Sequence, residues 1–229
     1  MIKKKTCLIF SVFLLFVFSV PAWADVTIHT EGAYTETDLA VYIYADISGD
    51  AILSAGVKLT YSQAELTLTS AIKNEKVWYM GDGSSNEAYM DPDTSVAGEV
   101  VIICGKLDSN EGHTLDGVSG NRVLIGILRF NRINSTMPFA PTLALDYGKA
   151  DPYDNFVETD GDALDTVSVT FGDITVRECG DADADEDIDV FDIMKTKIII
   201  EADGYSVWAD CDGDNDIDVF DIMCIKNKI

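Results

Sequence analysis

The stretch Leu39-Ala-Val-Tyr-Ile-Tyr-Ala-Asp-Ile47 is built almost wholly of β-branched, aromatic and small side chains. Such residues suit a pleated, packed surface, and their order has no 3.6-residue apolar period that would favour a helix. Ser48-Gly49-Asp50 follows, a turn-prone cluster that predicts the end of the strand. Working outward, Ala55–Tyr61, Glu99–Cys104, Val123–Phe130, Thr142–Leu145 and Thr166–Phe171 have the same character. Polar clusters such as Gly81-Asp82-Gly83-Ser84-Ser85 and Thr159-Asp160-Gly161-Asp162 separate them. Many short strands joined by polar turns predict a mainly β fold, an antiparallel β-sandwich over residues 25–176.

The N-terminus reads differently. Lys3, Lys4 and Lys5 precede the apolar run Cys7–Val20, and Ala22-Trp23-Ala24 closes it with a small-x-small pattern. Residues 1–24 are therefore expected to be a cleaved export signal, with the secreted chain starting at Asp25. All 40 acidic residues lie beyond that point, so the exported part is still more negative than the whole chain's −24. A surface so acidic repels nucleic-acid backbones and anionic lipid heads. No later apolar run is long enough for a membrane span. His29 and His113 are the only histidines, and no nucleophile motif accompanies either. Trp78-Tyr79 could stack on a sugar, although such a pair more often fills a core. Nothing argues for an enzyme.

Several of the strand segments resemble a known family. Asp38-Leu-Ala-Val-Tyr-Ile, Ala55-Gly-Val-Lys-Leu-Thr-Tyr-Ser-Gln-Ala-Glu-Leu, Gly98-Glu-Val-Val-Ile-Ile-Cys-Gly and Arg122-Val-Leu-Ile-Gly-Ile-Leu-Arg-Phe look like core strands of cohesin domains. Ser62 stands where that family more often has Asp. The resemblance implies a jelly-roll sandwich, an architecture shared with some carbohydrate-binding modules.

Composition shifts at Arg177. Residues 177–229 hold 16 acids against 5 bases, with no Pro/Ser/Gly linker ahead of them, so this tail is expected to sit close to the sandwich. The tail is a repeat. Gly180–Ile200 aligned with Ala209–Ile229 gives 13 identities in 21 positions, including Asp-Ile-Asp-Val-Phe-Asp-Ile-Met twice. Two copies of one unit are expected to pack on each other. Within each copy the acids fall at loop positions 1, 3, 5 and 12: Asp181, Asp183, Asp185 and Asp192, then Asp210, Asp212, Asp214 and Asp221. Asp187 and Asp216 stand at position 7, where a backbone carbonyl contributes, and Asp189 and Asp218 at position 9, which acts through water. Calcium takes six to eight oxygens, and this EF-hand-like spacing wraps them round one ion per loop, two ions in all. Position 6 departs from the usual Gly: it is Glu186 or Asn215. Ile188 and Ile217, at position 8, are expected to pair between the loops.

Asp at position 12, with no helix before either loop, resembles a dockerin, the small module that binds cohesins in cellulosome-type assemblies. The resemblance covers residues 180–229 and implies helices over about Val190–Ile200 and Val219–Ile229. It places the partner-recognition residues at positions 10, 11 and 17: Val190, Phe191 and Lys197, then Val219, Phe220 and Lys226. Core packing of the two Phe is the competing reading. Ile193, Met194, Ile222 and Met223 are expected in the module's core. Beyond the signal four cysteines remain, allowing three full pairings. Some dockerin-like modules carry cysteines placed like Cys179 and Cys211, and antiparallel repeats could bring these two within reach, so that disulfide is expected. Cys104 and Cys224 read as free thiols. The whole is then a secreted, non-catalytic adaptor whose dockerin binds a cohesin-bearing protein and whose sandwich receives another dockerin or a polysaccharide. The alternatives are a dockerin-tagged carbohydrate-binding module and, third, a small polysaccharide-degrading enzyme component.

Overall fold

In chain order the elements are β1 (Asp25–Tyr34), β2 (Asp38–Tyr61), β3 (Leu66–Lys73), β4 (Glu99–Gly105) and β5 (Val118–Arg132). Then come β6 (Leu143–Tyr147), β7 (Val157–Glu158), β8 (Val169–Glu178), α1 (Val190–Glu201) and α2 (Val219–Lys228). The computed structural model describes residues 24–78, 91–106, 117–151, 155–159, 163–164 and 168–229. All of the expected export signal except Ala24 lies outside them, as do Tyr79, the 81–85 turn, His113 and the 160–162 part of the last turn. Among the described residues the fold is mainly β with two short C-terminal helices, and no helix is long and apolar enough to cross a membrane.

β2 organises the sheet. Its first half pairs with β1 and β5, which extend the ladder to β8 and β3 in the order β3-β5-β2-β1-β8. Its second half pairs with β4, β6 and the short β7. The turn expected at Ser48-Gly49-Asp50 is instead an exposed corner within one continuous strand. Gly49 has φ +78, and the register against β5 shifts between Ile47 and Ile52. Extra residues on one strand bend it without breaking it, which is how a single strand can serve both halves of the sandwich. A second correction concerns direction: β1 and β8 pair in parallel. A parallel neighbour needs a long connection, and here nearly the whole sandwich lies between the two strands.

Alternation along β2 fills one core. Val41, Ile43 and Ala45 from its first half and Ala55, Val57 and Leu59 from its second join Ile28, Ile102, Leu128, Phe130 and Phe156 in one buried cluster. Fully buried side chains of this size contribute about 1.5–3 kcal/mol each. Trp78 belongs to the same core, fully buried, its indole N–H donating to the Leu124 carbonyl at 3.1 Å, so it offers no sugar platform. His29, opposite Tyr44 in the β1–β2 ladder, lies on the outer face of the sheet, stacked on Tyr44 with its Nδ1 3.5 Å from Asp46.

β8 runs through the compositional boundary at Arg177 and delivers the chain directly into the tail, without a tether. Part of the outward face of β1, β2 and β5 is apolar too, flanked by Glu31, Asp46 and Arg129. Ala33, Tyr42 and Tyr44 form a second buried cluster with Cys179, Val207, Cys211 and Ile225 of the tail. Both faces of this part of the sheet are therefore covered, the outer one by the tail.

Candidate metal centres

Each acidic loop is shaped by its own carboxylates. In the first, Asp185 N donates to Asp181 Oδ1 at 3.1 Å and Asp183 N to Asp192 Oδ1 at 3.1 Å. In the second, Gly213 N donates to Asp210 Oδ1 at 2.8 Å, and Cys211 N to Asp221 Oδ1 at 2.7 Å. The backbone turns left-handed at positions 4 and 6 of both loops: Ala184 and Glu186 in one, Gly213 and Asn215 in the other. Gly and Asn take that conformation readily, whereas Ala and Glu are held there at a cost. The first loop is thus the more strained.

Position 9 has a role the spacing did not show. Asp189 and Asp218 are helix N-caps, each accepting the amide of the Phe two residues on at 2.6 Å. Asp192 and Asp221 reach back to the cap amides at 2.7 and 2.8 Å, completing a capping box. The helices start where the sequence places them and end within a residue or so of the expected bounds.

The loops bring together most of the expected ligands. Carboxylate oxygens of Asp181, Asp183 and Asp192 lie within 4.8 Å of one another, as do those of Asp187, Asp189 and Asp192. Asp210, Asp212 and Asp221, and likewise Asp216, Asp218 and Asp221, repeat the pattern. Asp185 and Asp214 stand outside these groups, each accepting the amide two residues later at 3.2 and 3.0 Å. Asp192 and Asp221 are fully buried, and Asp181 and Asp210 nearly so. Among the described residues the one ion pair to any of these carboxylates joins Arg177 to Asp181, at 3.5 Å. Burial raises the carboxyls of Asp210 and Asp221 above the usual range, despite the amides that bond them. Desolvation and neighbouring carboxylates raise Asp183 and Asp216, and repulsion from Asp185 is the main cause at Asp187. Buried, mutually repelling carboxylates are stabilised by a proton or by a cation. An all-oxygen donor set of this kind could hold one hard divalent cation per loop.

On the helices, Asp192 and Thr196 point inward in α1, as do Asp221 and Ile225 in α2. The other face is apolar and open: Val190, Phe191, Met194 and Ile198, and Val219, Phe220 and Met223, are each more than half exposed. The two Phe do not pack in the core. Met194 and Met223, expected there, are a correction: two residues past the inward Asp, a helix has turned them to the opposite side. Ile193, Ile222, Ile188 and Ile217 are half-buried, with Ile188 and Ile193 against the second cluster. Lys197 and Lys226 are exposed, and Lys197 lies 3.6 Å from Glu201.

The solved structures that this chain resembles are cohesin modules. A dockerin–cohesin complex containing the CaCohA2 module matches with 16% identity and a TM-score of 0.46, over 66% of this chain and 99% of that one. CaCohA2 from Clostridium acetobutylicum in solution gives 14% and 0.44, over 66% and 91%. The seventh ScaB type I cohesin of Pseudobacteroides cellulosolvens gives 17% and 0.40, over 68% and 93%. No protein-family model matches the sequence. No curated protein matches it.

The expected Cys179–Cys211 disulfide is also corrected. Cys211 is bonded to Cys224, leaving Cys104 and Cys179 as free, buried thiols. Cys211 lies at the start of the second loop and Cys224 on the helix that loop leads into, so closing the loop brings their Cα atoms to 5.8 Å. The Cys179 thiol instead donates to the Asp210 carbonyl at 2.9 Å, under the seam between tail and sheet. Other seam contacts are the Trp208 indole N–H donating to the Gly32 carbonyl at 2.9 Å and Arg177 stacked over that indole.

Proposed function

We propose that this chain is an exported, non-catalytic assembly protein whose tail binds two calcium ions and docks a cohesin-type partner through its helix faces. The observation that carries this reading is the repeated placement of an exposed Val-Phe pair and Met directly behind an acidic loop, at Val190, Phe191 and Met194 and again at Val219, Phe220 and Met223. Exposed aromatic side chains on a rigid helix suit the buried centre of a protein interface. The donor chemistry of the loops supports calcium: carboxylates on a flexible loop suit its large oxygen shell better than the strict octahedron of magnesium. The part played by the sandwich follows from its sequence resemblance to cohesins, which implies that it receives a dockerin of a different partner.

The test is surface plasmon resonance of the exported chain over a panel of immobilised cohesins, in calcium and in chelator. Binding is expected in calcium alone. Because the two faces repeat, Phe191→Asp or Phe220→Asp alone should leave most binding, and the double variant should abolish it. Binding that survives both the chelator and the double variant would refute the proposal.

A further inference from the structure

The two loops are not equivalent in their surroundings, and the difference comes from the sandwich. Asp210, at position 1 of the second loop, accepts Asn215 N at 3.2 Å on Oδ2, and the Tyr205 hydroxyl reaches the same oxygen at 2.9 Å. The Tyr205 hydroxyl is also 2.8 Å from that of Tyr42 on β2. Asn215 Oδ1 in turn is approached by the Tyr42 hydroxyl at 3.0 Å and by Arg129 Nη2 of β5 at 2.6 Å. Proton counting orders this network. A carboxylate only accepts, so Tyr205 gives its single proton to Asp210. Tyr42 can then donate to Tyr205 while Arg129 satisfies Asn215, which leaves every acceptor filled.

Tyr42 and Arg129 share the outer sheet face, since Ala40, two residues before Tyr42, lies opposite Arg129 in the ladder. Asn215 is the residue that departs from Gly at position 6, and its side chain is what the sheet grips. Both side chains are exposed, but among the described residues no hydrogen bond joins the counterpart Glu186 to the sheet, whereas Asn215 is held by Arg129. The first loop meets the sandwich through Arg177 instead, which donates to the Ala184 carbonyl at 2.9 Å and pairs with Asp181. That cation sits on the position-1 carboxylate and opposes an incoming cation, whereas the second loop's position-1 carboxylate is held by a neutral hydroxyl.

The geometry points to Tyr42 and Arg129 as positioning residues for the cation of the second loop, so that filling this loop fastens the tail to the sheet. The inference rests on the calcium reading of the loops. By linkage, docking of the tail on the sheet and filling of the second loop strengthen each other by one and the same factor. The second loop is then the tighter of the two.

The experiment is calorimetric calcium titration of the intact exported chain, with melting curves in calcium and in chelator. Wild type should show two unequal sites, and Asp221→Ala should remove the tighter one. Tyr42→Phe and Arg129→Met should each weaken that tighter site about tenfold, the worth of one hydrogen bond to a charged or strongly polar group. The looser site should not change, and neither variant should alter the weak site that remains in the Asp221→Ala background. The melting rise produced by calcium should shrink in both variants while the chelator melt stays near wild type. A tighter site unchanged within twofold in both variants would overturn the inference and leave the calcium reading standing. Equal weakening of both sites, or the same melting loss with and without calcium, would also overturn it, since either marks a general structural role. Failure of wild type to bind calcium removes the underlying reading, and this inference with it.

Discussion

Ile225→Ala tests whether the tail and the sheet share one core. Ile225 is fully buried on α2, in the cluster that combines Tyr42, Tyr44 and Ala33 of the sheet with Val207 and Cys211 of the tail. The substitution removes about three methylene equivalents, or about 2.5 kcal/mol of transfer free energy at 0.8 kcal/mol each. The cavity left behind adds to this, because sheet and disulfide-bonded loop cannot both collapse into it, so the expected loss is about 3–4 kcal/mol. For a chain of this size that is a fall in Tm of about 6–16 °C. Urea unfolding of the intact chain in saturating calcium, followed by both far-UV circular dichroism and tryptophan emission, is the assay. Because Ile225 ties the tail to the sheet in one buried cluster, the two probes should move together to lower urea. A loss under about 1 kcal/mol would refute the packing argument. A helix transition that moves while Trp78 emission, read in a Trp208→Phe background, stays fixed would refute the shared core.

Two further outcomes follow from single side chains. Thr196, the copy-one counterpart of Ile225, is fully buried and its hydroxyl has no hydrogen-bond partner; Thr196→Val should therefore raise stability by about 1 kcal/mol in the same urea assay, and a loss of that size would show the hydroxyl to be satisfied. Burial pushes the Cys104 and Cys179 thiols up from 9.0 to about 12, so both stay protonated and unreactive towards iodoacetamide at pH 8 in the folded chain. Mass mapping should find them alkylated only after denaturation, and Cys211 and Cys224 only after reduction as well; a Cys179–Cys211 peptide would contradict the structure.

The paired cysteines show where sequence reasoning stops. Spacing along the chain allowed three pairings, and the antiparallel placement of the repeats suggested Cys179 with Cys211. Loop closure over 13 residues decided for Cys211 with Cys224. The covered sheet face, by contrast, left a signal that could have been read. Ala40, Tyr42 and Tyr44 are the positions that should be polar if β2 faced water on that side, and none is charged. Arg129 and Asn215 left no such signal, because nothing local links them across 86 residues.

The acidic loops, the helix starts and the β character of residues 25–176 were determined by the sequence alone. Each depends on residues close together in the chain: carboxylates within one twelve-residue loop, an Asp cap beside its own helix, alternation within a single strand. Tertiary structure alone decided that β2 passes through Ser48-Gly49-Asp50 as a corner, that β1 and β8 run parallel, and that the Val-Phe faces look outward. These depend on which apolar surface finds a partner first and best. The outer face of β1, β2 and β5 took the inward side of the tail, around Val207 and Ile225, and so left Phe191 and Phe220 to the solvent.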